Sequence, residues 1–389
     1  MRQSIKLALA AAAVSAAFGV QAAEVSLYGS ISTGLVYSHG SELTSAAGNT
    51  SEANGPKSNS LSMESAWFGD SIWGITGEEE LGNGWTVGFT LENEFASDSG
   101  ALGTDGKIFD SQAYLRVGND MVNFAFGNIG GLASAGGDFD MIGGFDPMGA
   151  FFDVGGMGAF ATRDYASDNM IVAEVTPMEG LKVSLMGSVG DQDSQAAWED
   201  RTHYYALGAS YEVGSLAVAG VVEMLNYDSR RNTQATKDDN GYTFTLGVSY
   251  DFGVVKPSFV YQHADKLRSF QGGDFYDDTV DPETYNGSYK FESLLLGATA
   301  PIADGTLMAS VQYVKGKSKL DSEEEGNATI LAVAYSYELS KRTSLWTGAT
   351  YAVGGDGLDK DLGTTKEFGG MERGAYNGYT FGLGLVHTF

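Results

Sequence analysis

The residues that could do covalent chemistry are few and scattered. Four histidines, His39, His203, His263 and His387, are spread over the chain, the first in an expected loop and the last on an expected strand. No Gly-x-Ser-x-Gly elbow and no His-Glu-x-x-His pair occurs, so the commonest hydrolase arrangements are missing. Cysteine is absent, which removes thiolate nucleophiles, thiolate metal sites and disulfides together. Gly143-Gly144 and Gly155-Gly156 are not followed by Gly-Lys-Ser or Gly-Lys-Thr, so neither reads as a phosphate cradle. Asp191-Gln192-Asp193-Ser194 lacks the glycine and distal glutamate of a calcium loop. These absences point away from an enzyme, a cofactor or a metal centre.

What the chain holds in quantity is carboxylate: 50 acidic residues against 23 basic ones, a formal charge of -27. Such a surface repels nucleic acid and draws cations. Disorder is the bland reading of so much charge, but 12% aromatic content argues against it.

The elements that must carry these charges have period two. In residues 24–38, Val25, Leu27, Ile31, Leu35 and Tyr37 share one parity and Glu24, Ser26, Ser30, Ser32 and Ser38 the other. In residues 85–96, Trp85, Val87, Phe89, Leu91 and Phe95 alternate with Thr86, Gly88, Thr90, Glu92 and Glu94. Alternation places successive side chains on opposite faces of a strand, and the three-and-four spacing of a helix is missing. Similar segments recur at 62–80, 109–117, 122–127, 168–175, 181–190, 202–212, 216–227, 241–250, 254–264, 289–300, 307–316, 328–337, 344–353 and 377–389. The pattern predicts about sixteen strands.

Connection lengths separate a barrel from a soluble sandwich. Short turns such as Leu81-Gly82-Asn83-Gly84, Gly118-Asn119-Asp120-Met121 and Asp251-Phe252-Gly253 alternate with long polar segments near 39–61, 97–108, 128–167, 191–201, 228–240, 265–288, 317–327 and 354–376. An all-β, antiparallel, up-and-down transmembrane β-barrel has this rhythm, whereas a sandwich has no reason for it. In such a barrel the apolar parity faces lipid and the polar parity faces inward, where sixteen strands leave a lumen too wide for side chains to fill. On that parity Glu92, Glu94, Arg116 and Lys182 line the interior.

Residues 1–22 have a basic start (Arg2, Lys6), an apolar stretch Leu7–Val20 and small residues before Ala22, the layout of a secretory signal peptide cleaved after Ala22. The apolar run is shorter than the roughly 20 residues a membrane helix needs. Removing Arg2 and Lys6 takes the basic count from 23 to 21 and the charge from -27 to -29. The barrel domain is then 23–389.

EVSLYGSISTGLVY at 24–37, GITGEEELGNGWTVGFTLENEF at 74–95, FDSQAYLRVG at 109–118, RDYASDNMIVAEV at 163–175 and GYTFGLGLVHTF at 378–389 carry a resemblance to a family. The chain resembles the general porins of the Gram-negative outer membrane, especially the Neisseria and Burkholderia type. The resemblance implies a multi-pass outer-membrane barrel and a water-filled channel for passive diffusion of ions and small hydrophilic solutes. It also implies a homotrimer, contact with outer-membrane lipid and lipopolysaccharide, and delivery by the barrel assembly machinery. The terminal strand with Tyr379, Phe381 and Phe389 on one parity would be the assembly signal. A substrate-selective channel, for instance for sugars, and a structural or adhesive barrel are the alternatives; Tyr28, Tyr114 and Tyr204 on polar parities do not make a sugar track.

In porins of this family the third long loop folds into the barrel and forms a constriction facing a basic wall. Here that loop is about 128–162 and contains Asp138, Asp140, Asp146 and Asp153, which are equally readable as solvated loop acids. The basic wall is where the chain departs: Ile72, Thr76, Thr86, Ser111 and Asn128 stand where relatives often carry lysine or arginine. Arg116, Lys182 and Arg163 remain as candidate pore charges beside Glu92 and Glu94. The expectation is a cation-preferring constriction, because acidic side chains in a narrow pore concentrate cations and repel anions.

Overall fold

A computed structural model describes residues 24–41, 57–104, 106–134, 136–149, 155–161, 166–190, 198, 201–227, 240–267, 288–319, 325–354 and 377–389. The signal peptide expected at 1–22, and the candidate residues Asp153 and Arg163, lie outside them.

The described chain is almost entirely strand. β1 (Glu24–Ser41), β2 (Lys57–Ser65), β3 (Ile72–Gly82) and β4 (Trp85–Glu94) are followed by β5 (Gln112–Gly118), β6 (Val122–Gly130), β7 (Ala166–Met178) and β8 (Leu181–Ser188). Next come β9 (His203–Val213), β10 (Leu216–Asn226), β11 (Gly241–Tyr250) and β12 (Lys256–Leu267). β13 (Tyr289–Ile302), β14 (Gly305–Ser318), β15 (Glu325–Ser340), β16 (Thr343–Gly354) and β17 (Asn377–Thr388) complete the set. From β3 onward each strand pairs antiparallel with its successor. β17 returns to β1, from Ser30↔Thr388 to His39↔Tyr379, so the sheet closes. Closure is what lipid demands, since an open edge would leave backbone groups without partners.

Seventeen strands make sixteen barrel positions, because β2 and β3 share one. β2 pairs with the far half of β1 (Thr33↔Ser65 to Ser41↔Lys57) and β3 with the near half (Glu24↔Glu78 to Ser30↔Ile72). The alternation predicts one strand over 62–80; the structure breaks it at residues 66–71, where Ala66 (φ 56) and Gly69 (φ 120) leave the extended region. Serine hydroxyls replace the ladder bonds lost there. Ser71 Oγ donates to the Ser32 carbonyl at 3.0 Å and accepts the Ser32 N–H at 3.1 Å, and Ser97 Oγ donates to the same carbonyl at 2.6 Å.

The short connections follow turn chemistry. Asn83 (φ 54) and Gly84 (φ 78) both take positive φ between β3 and β4, the backbone of a type I′ hairpin turn. At the β5–β6 turn, Asn119 Oδ1 accepts the Met121 and Val122 N–H groups at 2.9 and 3.0 Å. β1 extends further than the sequence suggests, so His39 sits on the strand, with Nδ1 2.7 Å from Asn59 Oδ1.

The outer face is apolar and bare. Leu27, Leu35, Phe381 and Leu383 are 64, 53, 53 and 48% exposed, as suits a belt that lipid covers. The inner face departs from the simple parity rule. On β10, Ala217, Ala219, Val221 and Leu225 face inward, and on β15 Ala328, Ile330, Ala332 and Ala334 do the same. These strands are apolar on both sides because a loop, rather than water, covers their inner face.

Candidate functional site

That loop follows β6. Its first limb is fixed by a relay: the Leu132 N–H donates to Tyr204 Oη at 3.2 Å, and Tyr204 donates to Glu223 Oε1 at 2.7 Å. Thr243 Oγ1 also donates to Glu223, on the neighbouring strand. Further along, Asp140 accepts the Ile142 and Gly143 N–H groups at 3.0 and 2.7 Å and opens a short 3-10 turn, Gly143–Phe145. Asp146 accepts the Met148 N–H at 2.8 Å. Two of the loop acids expected to face the pore thus hold the loop's own backbone, the local bonding that short acidic side chains favour.

The loop lies on the wall from β9 to β14. Met141 packs over Gly208, Phe145 over Gly247 and Pro147 over Gly297, and a Cβ at any of the three would collide with the residue above it. The returning limb is held by two glutamines. Gln262 Oε1 on β12 accepts the Ala161 N–H at 2.8 Å; Gln312 on β14 accepts the Ala159 N–H at 3.1 Å and donates to the Gly155 carbonyl at 2.7 Å. Both side chains are buried, so each supplies bonds that neither water nor a neighbouring strand provides. Ile142, Phe145, Met157 and Phe160 complete one apolar cluster with Val221, Val260, Leu295 and Ile330 of the wall.

Opposite this packed arc the wall of β3 to β5 is polar, with Thr90, Glu92, Gln112 and Tyr114 buried and the Arg116 side chain part-exposed. Cross-strand register puts Glu92 in line with Gly74 on β3 and Gln112 on β5. Glu92 accepts from Tyr28 Oη at 2.8 Å, Ser111 Oγ at 2.5 Å and Gln112 Nε2 at 3.5 Å. Asp138, from the loop, accepts the Tyr114 hydroxyl, and its N–H donates to Gln112 Oε1 at 3.1 Å. Thr90 Oγ1 donates to Tyr114 Oη at 3.1 Å. Gln112 therefore ties the Glu92 carboxylate on the wall to the backbone N–H of Asp138 on the loop, and the donors to the two carboxylates are hydroxyls and, for Glu92, an amide. A negative charge held this way keeps its sign, which an arginine partner would have cancelled.

The two basic candidates among the described residues are each matched by an acid. Arg116, inward on β5, pairs with Glu78 on β3, and Lys182 on β8 stands 3.3 Å from Glu174 on β7. Glu94 is inward and half-buried, and its N–H donates to Asp110 Oδ1 at 2.9 Å. Phe389 is engaged at the seam, its N–H donating to the Gly29 carbonyl at 3.0 Å and its ring resting on Gly29. Tyr379 and Phe381 are on the outer face of β17, 42 and 53% exposed. Glu223 escaped sequence reasoning; its only signal is an acid on the inward parity of the apolar run LAVAGVVEML. Among the described residues no group of three or more histidines and acids is placed to hold a metal ion.

Comparison with known proteins agrees with this architecture. The family model for Gram-negative porins matches residues 8–357. An outer membrane porin protein of Bordetella pertussis is 30% identical over 90% of this chain and 94% of its own length. Outer membrane porin protein 32 of Delftia acidovorans is 28% identical over 99% of this chain and all of its own. Among solved structures, an anion-selective porin from Comamonas acidovorans (TM-score 0.62, 20% identity) covers 94% of this chain and 100% of its own. Salmonella typhi OmpF (TM-score 0.63, 15% identity) covers 94% and 98%. At these identities the two structures speak for the fold alone. A closed, lipid-faced barrel with an inward loop, matched along most of its length by one family model, places this chain in the outer membrane as a member of the Gram-negative porin family.

Proposed function

We propose that the chain is a cation-preferring diffusion channel for ions and small hydrophilic solutes, with its constriction between the inward loop and the wall of β3 to β5. The observation that carries this reading is the pair Glu92 and Asp138, one on the wall and one on the loop, Glu92 bonded to hydroxyl and amide donors and the Asp138 carboxylate to the Tyr114 hydroxyl. Charge in a narrow, low-dielectric passage acts strongly on a passing ion, because little water remains to screen it. Arg116 and Lys182 offset it little, since Glu78 and Glu174 answer them. Asp140 and Asp146 contribute chiefly by shaping the loop, and Glu94 adds negative charge above Glu92. The anion preference named for the Comamonas porin belongs to that protein; polarity resides in side chains, which differ at most positions at 20% identity.

The experiment is a reversal-potential measurement across a planar bilayer under a salt gradient. A potential of the sign for cation flux is expected, and clear anion selectivity defeats the reading. A trimer in outer-membrane lipid is part of the same proposal, and crosslinking of the detergent-extracted protein tests it.

A substrate-selective channel is the second reading. It is favoured by how much of the inner wall the loop covers, from Gly208 on β9 to Gln312 on β14. Saturable block of the ionic current by one solute class would distinguish it from a general channel.

A further inference from the structure

The broken second barrel strand places two large aromatic residues inside the lumen. Trp67 and Phe68 stand in the break between β2 and β3, and both are 8% exposed. Their direction is fixed by what they touch. The Trp67 indole lies against Gly382 of β17, on the face opposite the exposed Phe381 and Leu383, with no room for a Cβ there. Trp67 meets Phe68 edge-on at 4.3 Å and 82°, and Phe68 leans on Trp346 of β16 at 5.3 Å. The pair thus reaches across the inner face of β1 to the last two strands. Met148, at the far end of the loop, joins the same apolar cluster.

A break of this kind is costly and is held on purpose. Ala66 takes a left-handed φ of 56, a conformation that persists only where surrounding structure enforces it. The bonds from Ser71 and Ser97 to Ser32 enforce it, with Ser71 and Ser32 fully buried. The outcome is that loop and aromatic pair together cover the inner face from β6, where Ala125, Val172 and Met186 of β6 to β8 join the loop's cluster, round to β1, which leaves the hydroxyl- and carboxylate-lined strands β3 to β5.

We propose that Trp67 and Phe68 are pore-defining residues: a strand-borne aromatic wedge closes one side of the lumen, holds the loop through Met148, and confines the water path to the wall that bears Glu92. The inference rests on the channel reading above. Glu92 and Asp138 carry the charge of the filter and the wedge sets its width.

Single-channel recording of Trp67→Ala in the full-length barrel tests it. Removing the indole widens the path without altering charge, so conductance should rise about 1.5-fold or more while the reversal potential stays at the unsubstituted value. Met148→Ala, on the loop and outside every strand, should raise conductance by a smaller factor. Folding of each variant is checked by the heat-dependent shift in electrophoretic mobility. If Trp67→Ala does not fold, Trp67→Leu and Met148→Ala decide the matter in the same way. Folded variants whose conductance is unchanged, including variants that lose only heat stability, overturn the wedge. An unsubstituted protein that conducts nothing overturns the channel reading instead.

Discussion

Tyr204 donates its hydroxyl hydrogen to Glu223 at 2.7 Å while the same oxygen accepts the Leu132 N–H at 3.2 Å, so a carboxylate on β10 fixes the start of the inward loop through a phenol on β9. Tyr204→Phe keeps the ring and removes both bonds. The loss should be about 1–3 kcal/mol, the cost of leaving buried polar groups unmet. Chemical unfolding in detergent measures it, and bilayer recordings should show added current noise as the limb loosens. Wild-type stability with a quiet current would mean that the relay is incidental.

The filter itself is tested by removing charge at constant volume. Glu92→Gln and Asp138→Asn each preserve shape, so open-channel conductance should change little while the reversal potential moves toward zero. The double substitution should move it further. Salt dependence is a second check: screening lengths shrink from about 10 Å at 0.1 M to about 3 Å at 1 M, so the preference should fade as ionic strength rises. If Glu92→Gln left selectivity untouched, the preference would reside elsewhere.

How far these features could be read from the sequence depended on what covers each strand. β1 and β4 face lipid on one side and polar groups on the other, and their alternation is plain in Val25, Leu27 and Ile31 or Trp85, Val87 and Phe89. β10 and β15 bury apolar residues on the inner side too, beneath the loop, and alternation alone would have assigned those positions to lipid or a core without choosing. The break at 66–71 was hidden because Trp67 continues the apolar parity of Met63, Trp73 and Ile75 that an unbroken strand would show. Loop acids are legible as charges but their bonding is not. Asp138 receives a wall hydroxyl while Asp140 and Asp146 bond backbone two or three residues away, a distinction set by the folded path of the loop.

The returning limb of the loop should depend on Gln262 and Gln312. Each reaches from the wall to the backbone of residues 155–161. Gln312→Ala removes an acceptor for the Ala159 N–H and a donor for the Gly155 carbonyl, a loss of about 1–3 kcal/mol for each buried group left unmet. Gln262→Ala removes the acceptor of the Ala161 N–H and the donor to Thr245 Oγ1 on β11, one bond to the limb and one along the wall, so it should cost stability on the same scale while loosening the limb less. The pair share one limb, so their effects should not add, and a double-mutant cycle on unfolding free energy reads the coupling. Strict additivity would show that the two glutamines hold independent segments.

The seam supplies the last test, because there the chain's final residue is bonded to its first strand. Phe389 exchanges backbone bonds with Gly29 at 3.0 and 3.2 Å and lays its ring on that glycine, although 41% of the residue remains exposed. Phe389→Ala keeps the backbone exchange and loses only the half-covered ring, so it should cost about 1–2 kcal/mol, below the figure for a fully buried phenylalanine. Deleting Phe389 removes the exchange as well and exposes the Gly29 N–H and carbonyl to lipid, where unmet backbone groups are penalised most. The folded fraction recovered on refolding into detergent micelles should therefore fall from the unsubstituted chain to Phe389→Ala and again to the deletion. Equal recovery for the two variants would assign the whole effect to the ring, and equal recovery for all three would show that the seam closes without its last residue.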